Sequence, residues 1–175
     1  MSDVIVPSRD ATLDLAWRLL ATIPDPEIPV ISIVELGIVR NVRRDGDALV
    51  VTVTPTYSGC PATAMIESDI VKALTQAGMA VCRVETQLAP AWTTDSIAPA
   101  ARERLRAYGI VPPGERPAVQ QVNISGLRRK STAAIACPRC GSVRTTELSR
   151  FGSTPCKAQY RCEDCREPFD YFKPH

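Results

Sequence analysis

The sequence predicts an α/β fold of the α+β kind: a small three-stranded sheet covered by helices, in the order α-β-β-α-β, with a smaller cysteine-bearing module behind it. Three observations lead there. Up to residue 110, the spacing of apolar residues switches between helical and strand periods. Asp45-Gly46 separates two β-branched runs, a hairpin signal because these residues tolerate the positive φ of a tight turn. Five of the seven cysteines fall after residue 136, so the chain is bipartite.

Residues 10–22 place Leu13, Ala16, Trp17 and Leu20 on one helical face, with Trp17 as a core anchor. In Ile23-Pro-Asp-Pro-Glu-Ile-Pro29, the prolines forbid a helix interior and force an extended or turning path. Asp25 and Glu27 are displayed on that loop. Two carboxylates at i and i+2 suit cation binding or acid–base work, yet spacing alone favours solvated or capping groups. Residues 28–35 are expected to hold a short helix leading to Leu36-Gly37, and residues 38–44 and 48–54 read as strands. Ile66, Ile70, Ala73, Leu74 and Ala77 recur at helical spacing, and a third strand at 80–86 follows the Gly78 helix stop, with Cys82 packed mid-strand. Residues 88–96 read as a loop or edge segment, where Trp92 and Asp95 are placed to line the mouth of a site. Residues 99–108 form a last helix whose Arg102, Arg104 and Arg106 make a solvated face.

The working loop of the first domain is Thr54-Pro-Thr-Tyr-Ser-Gly-Cys-Pro61, between strand and helix. Pro61 suits the first helical position, which makes Cys60 the N-cap, its sulfur facing unpaired amides. The positive end of the helix dipole there favours thiolate, the form that attacks electrophiles or binds metal. A buried cysteine serving as a small hydrophobe is the competing reading. Polar Thr54, Thr56 and Ser58 and flexible Gly59 argue for function and are candidate binding positions. The only histidine is His175, so a Cys-His hydrolase or transferase is disfavoured.

The hydrophobic content of 45% fits a globular chain able to bury a core. No apolar run has the length of a membrane helix and the N-terminus lacks a signal-peptide pattern, so a cytoplasmic location is expected. In a reducing compartment, seven cysteines point to metal binding or redox chemistry rather than disulfides. Residues 1–125 carry 11 basic and 14 acidic side chains (net −3), and residues 126–175 carry 10 and 5 (net +5). A basic tail suits nucleic acid, an acidic partner or an anionic metal cage.

Helix breakers in 111–117 and a basic, aperiodic stretch after them divide the chain into a domain at 1–110, a linker at 111–130 and a module at 131–175. The module holds Cys137-Pro-Arg-Cys140 and Cys162-Glu-Asp-Cys165, a C-x2-C-x21-C-x2-C arrangement. Each pair wraps two thiolates onto one face of a metal, and four complete a tetrahedron around zinc. Two short strands, 143–148 and 157–161, bring the pairs together as a zinc ribbon. So short a module has little core of its own, and the metal is what folds it. Arg139, Lys157, Arg161 and Arg166 are candidates to offset the −2 charge of the cage. Reactive dithiols and a rubredoxin-like iron site are the alternatives; Cys156 is an extra thiol and His175 is discounted as a ligand.

The stretches at 25–39 (Asp25-Pro-Glu-Ile-Pro through Gly37-Ile-Val39) and 54–61 resemble the metal-sulfur cluster biosynthetic domain of iron-sulfur assembly factors. Followed by Phe151-Gly-Ser-Thr-Pro-Cys-Lys-Ala-Gln-Tyr-Arg-Cys162, the whole resembles the PaaD family, the D component of the phenylacetyl-CoA epoxidase system. The resemblance implies an accessory role in aerobic phenylacetate degradation, maturing the iron-sulfur cluster of the reductase or the diiron centre of the oxygenase, without catalytic turnover of its own. It matches Cys60 to the family's loop cysteine, Asp25 and Glu27 to its Asp-Pro-Glu motif, and Cys137, Cys140, Cys162 and Cys165 to the ribbon ligands. Structural zinc and transient iron or an iron-sulfur cluster are the implied cofactors; the oxygenase or reductase subunits are the implied partners. One cysteine cannot hold a cluster alone, so further ligands must come from a second protomer, glutathione or the client, and a homodimer is expected. Two other readings compete: a structural subunit bridging oxygenase and reductase without metal chemistry, and a nucleic-acid-binding ribbon suggested by Arg128-Arg-Lys130. The latter is weakened by having only nine aromatic residues.

Overall fold

A computed structural model describes residues 10–79, 81–114 and 135–174, which divide into two compact units, one ending at Trp92 and the other beginning at Thr93. Among the described residues, no helix is long and apolar enough to cross a membrane.

In the first unit, helix α1 (Ala11–Leu20) is capped by Asp10, whose carboxylate accepts from the Thr12 amide at 2.9 Å. It buries Ala16 and Leu20 on the spacing read from the sequence, whereas Trp17 is only half-buried. Strands β1 (Val39–Asp45) and β2 (Ala48–Val53) form an antiparallel hairpin closed at the Asp45↔Ala48 pair, where Gly46 takes φ +61°. Helix α2 (Thr63–Gln76) then crosses over to β3 (Cys82–Thr86), which runs parallel to β2. The order β1-β2-β3 puts β2 in the centre, and its β-branched run Val50, Val51 and Val53 is fully buried. Ile66, Ile70 and Leu74 of α2 supply the facing core.

The helix expected within 28–35 does not form. That segment is a chain of turns: Pro24 bridges Ser32, the Asp25 amide donates to the Ile31 carbonyl at 2.9 Å, and the Ile33 amide donates to the Ile23 carbonyl at 3.0 Å. Side chains compete with the helical ladder here. The Glu35 carboxylate accepts from the Ser32 amide at 3.0 Å and its hydroxyl at 2.9 Å, while the Glu35 amide donates to Ser32 Oγ at 3.2 Å. Ile28, Ile31, Ile33 and Leu36 are all buried, so hydrophobic burial is met by a compact loop instead of a helix face.

The second unit contains α3 (Pro99–Tyr108), ended by Gly109 at φ +97°, and a four-stranded sheet in the order β4-β7-β6-β5. Its strands are β4 (Ile110–Val111), β5 (Thr145–Ser149), β6 (Lys157–Cys162) and β7 (Pro168–Phe172). The two ribbon strands expected from sequence are β5 and β6. The other two went unread, because β7 opens on a proline and β4 spans only two residues. Since β4 pairs with β7 through Ile110↔Asp170, contacts group α3 and β4 with the ribbon, whereas the sequence divided the chain at 110. Residues 115–130 of the expected linker lie outside the described residues, as do Arg128, Lys130 and His175.

Candidate functional site

Cys60 stands in the loop that leaves the carboxyl end of β2 and enters α2, the position in a parallel β-α-β unit where open α/β sheets place their ligands. The loop is anchored where the Thr54 amide donates to the Ile38 carbonyl at 2.8 Å. Thr54 and Thr56 are buried, Ser58 and Gly59 are exposed, and Cys60 is half-buried. Thr54 Oγ1 is buried without a hydrogen-bond partner, a placement that costs stability.

Cys60 is not the N-cap. Its carbonyl accepts from the Thr63 amide at 3.3 Å and the Thr63 hydroxyl at 2.9 Å, a turn that delays α2 until Thr63 and leaves Ala62 as the cap. The thiolate expectation is also overturned. Burial pushes the Cys60 thiol up; the Ala62 amide and Thr63 side chain act the other way, and the negative charges of Glu27 and Asp25 add to the rise. One amide, that of Ala62, does meet the sulfur as foreseen from sequence, but desolvation and two carboxylates outweigh it and the Thr63 side chain.

Asp25 is 4% exposed, and its Oδ1 accepts from the Glu27 amide at 2.9 Å and the Ile28 amide at 2.8 Å. Asp25 is thus neither the solvated nor the helix-capping group that the spacing favoured: it is buried and closes a turn of the loop, and the fold also brings its charge to Cys60. The charges of Glu27 and Asp25 acting on the thiol make its surroundings negative, which attracts a cation. The same charges repel an anionic electrophile. Trp92 lines no mouth. It is buried, and its Nε1 donates to the Leu36 carbonyl at 2.9 Å, pinning the turn that follows the Pro-rich loop. Ser32 and Glu35 are thus supports that sequence reasoning missed, with a Ser-x-x-Glu spacing as the available signal, and Trp92 is a support where the sequence suggested a site residue.

The four ribbon sulfurs lie within 4.8 Å of one another, with Cys137–Cys165 at 3.7 Å and Cys140–Cys162 at 3.6 Å. A tetrahedron with metal–sulfur bonds of about 2.3 Å has edges of about 3.8 Å, so the donors fit a four-thiolate ion. Each knuckle is set by backbone geometry: Gly141 at φ +75° donates to the Cys137 carbonyl at 2.9 Å, and Arg166 takes φ +65° behind the second pair. Cys137 and Cys162 are buried against Phe169, with Val111, Ile135 and Tyr160 around them. The Cys165 amide helps to lower the Cys162 thiol. Cys165 itself is pushed up to about 12 despite the Glu167 amide, through burial and the neighbouring thiols. Four protein ligands leave no open position, which suits a structural ion. Arg161 and Arg166 both reach Glu163 at 3.3 Å, and Arg144 pairs with Asp164. Lys157 is buried at the other end of β6 from Cys162, 3.6 Å from Asp170, and cannot serve the cage. Cys156 is buried beside Thr154 Oγ1 at 3.0 Å, outside the quartet.

Residues 123–173 match the PaaD zinc beta ribbon domain, and residues 14–86 match the iron-sulfur cluster assembly protein family. Over 157 residues, 90% of each chain, the sequence is 53% identical to a "Putative 1,2-phenylacetyl-CoA epoxidase" subunit of Escherichia coli (strain K12). The chain belongs to the PaaD family. With PaaD membership comes an accessory or assembly role, and the matched ribbon and its cysteine cluster make the chain a metal binder. The first unit has relatives beyond PaaD. It is 36% identical over 80 residues, 45% of this chain and 75% of the other, to the "Fe-S protein maturation auxiliary factor" of Porphyromonas gingivalis (strain ATCC BAA-308 / W83). A crystal structure of a DUF59 domain from Bacillus anthracis shares its fold, with a TM-score of 0.51 at 31% identity over 56% of this chain and 94% of that one.

Proposed function

We propose that this chain is a cytoplasmic maturation factor of the phenylacetyl-CoA epoxidase system, handing iron or an iron-sulfur cluster to the reductase or the oxygenase. The observation that carries the proposal is the half-buried Cys60 thiol under the influence of Asp25 and Glu27, in a fold shared with iron-sulfur maturation factors. In the proposed step, Cys60 exchanges its proton for a bond to iron, and the proton leaves to a carboxylate or to water. Thr54, Thr56, Ser58 and Gly59 shape the loop that admits the cargo. Asp25 holds that loop's neighbour rigid, and burial, with the charge of Glu27 adding to it, keeps the resting thiol protonated. The remaining ligands come from the client or a small thiol, because one cysteine cannot hold a cluster. The ribbon quartet holds zinc, whose part is to fold the second unit.

The test is the metal content of the epoxidase reductase and oxygenase purified from cells carrying Cys60→Ser. We expect a severalfold loss of cluster or iron in one client while the zinc of the variant itself stays. Full occupancy of both clients would overturn the proposal and favour a bridging subunit.

A further inference from the structure

Strand β3 is an edge: the sheet order is β1-β2-β3, and among the described residues β3 has no neighbour on its outer side. Its hydrogen bonds fix which groups face outward. The Leu49 amide donates to the Val81 carbonyl at 2.8 Å, and the Gln87 amide donates to the Val53 carbonyl at 2.8 Å. Odd-numbered residues therefore turn their backbone groups towards β2. By strand alternation, Cys82, Val84 and Thr86 present theirs outward. Natural edges are blunted by proline, bulges or inward-pointing charges. The five residues of β3 pair regularly with β2 and contain no proline, and the charges, Arg83 and Glu85, lie on the face away from α2.

Those charges make β3 self-complementary. Pairing two copies antiparallel about Val84 sets Val84 opposite itself, Cys82 opposite Thr86, and each Arg83 opposite the other chain's Glu85. An isologous two-fold contact requires this arrangement. Arg83 and Glu85 already belong to a ladder across the sheet, with Arg83 Nε 3.2 Å from Glu85 Oε1 and Arg43 Nη2 2.9 Å from Glu85 Oε2. A second copy extends that ladder with alternating sign. On the other face, Val84 borders an open groove of about 700 Å³ along α2, lined also by Ala64, Val71 and Thr75. A partner's Val84 falls on the same face as this groove. Val81, directly before β3 at the edge, is 57% exposed.

We propose that two copies of this chain join through β3, making one continuous sheet. The consequence for the Cys60 loop is specific. Because β2 and β3 are parallel, an antiparallel β3 pair puts the two Cys60 loops at opposite ends of the joined sheet. The partner thus cannot complete a shared cluster site, and each Cys60 serves a separate cargo. This pairing is independent of what the cargo is.

The experiment is sedimentation of the full chain at about 100 µM, where an interface of modest area still associates. The wild type is expected to be dimeric. Arg83→Glu places like charges opposite each other, as does Glu85→Arg, and each alone is expected to weaken association tenfold or more. Mixed in equal amounts, the two variants restore opposite signs at both positions and should form a heterodimer. Val84→Pro, which removes an outward donor and leaves the bonds to β2, should also give a monomer, with circular dichroism verifying its fold. A monomeric wild type, or single variants that remain dimeric, overturns the proposal; the former leaves the edge to a strand of another protein.

Discussion

Cys60 is kept as a thiol at rest by burial and by the charges of Glu27 and Asp25, so its reactivity should rise only above the ordinary cysteine range near pH 8.5. Removing one charge shifts that balance. Glu27→Gln should lower the thiol pKa and speed iodoacetamide labelling of Cys60 at pH 7.5 by about threefold, read by mass spectrometry of the Cys60 peptide. An unchanged rate would mean that Glu27 does not act on the sulfur. The linkage sign follows from the upward shift. The folded state holds the proton more tightly than the unfolded chain, so this contribution to stability is fully present below about pH 8.5 and is lost as pH rises through the raised folded value. Thr54 gives a second prediction. Its buried hydroxyl has no hydrogen-bond partner, so Thr54→Val should be neutral or stabilising by up to about 1 kcal/mol in urea unfolding. If that variant also fails to support cluster delivery, the hydroxyl serves the cargo rather than the fold.

At the scale of elements, the Pro-rich loop reaches Cys60 because two short turns hold it. Asp25 caps one through the Glu27 and Ile28 amides, and the Ser32–Glu35 pair closes the other. Trp92 clamps the second turn by its bond to the Leu36 carbonyl. Trp92→Phe leaves that carbonyl without this donor, and should cost about 1–2 kcal/mol, with Trp17 left as the fluorescence probe of unfolding. The sequence suggested a short helix over this segment, and the conformation it takes was not legible there. Ile28, Ile31, Ile33 and Leu36 are buried whether they sit on a helix or on turns, and only side-chain competition for the backbone decided between the two.

At the scale of the whole molecule, two units rest on different physics. The first is held by a buried β2 under α2, the second by a sheet gathered around four thiols. A strong chelator should therefore abolish one thermal transition and leave the other in place. Cys137→Ser should do the same and lose the bound metal, while Cys60→Ser keeps it. Acid should release the metal as well, because binding displaces thiol protons and weakens as pH falls. Metal retained in Cys137→Ser would show that the quartet is not its site.

The sequence by itself determined the strand and helix order of the first unit and the four ribbon ligands, because periodicity and cysteine spacing are local signals that survive without coordinates. It also marked Cys60, Asp25 and Glu27 by their loops. Tertiary structure alone decided that carboxylates from one loop act on the thiol of another, and that the thiol stays protonated. A pKa depends on burial and on charges brought from distant positions, neither of which is written at Cys60 itself. The same holds for β4, two residues that become a strand only when β7 lies beside them.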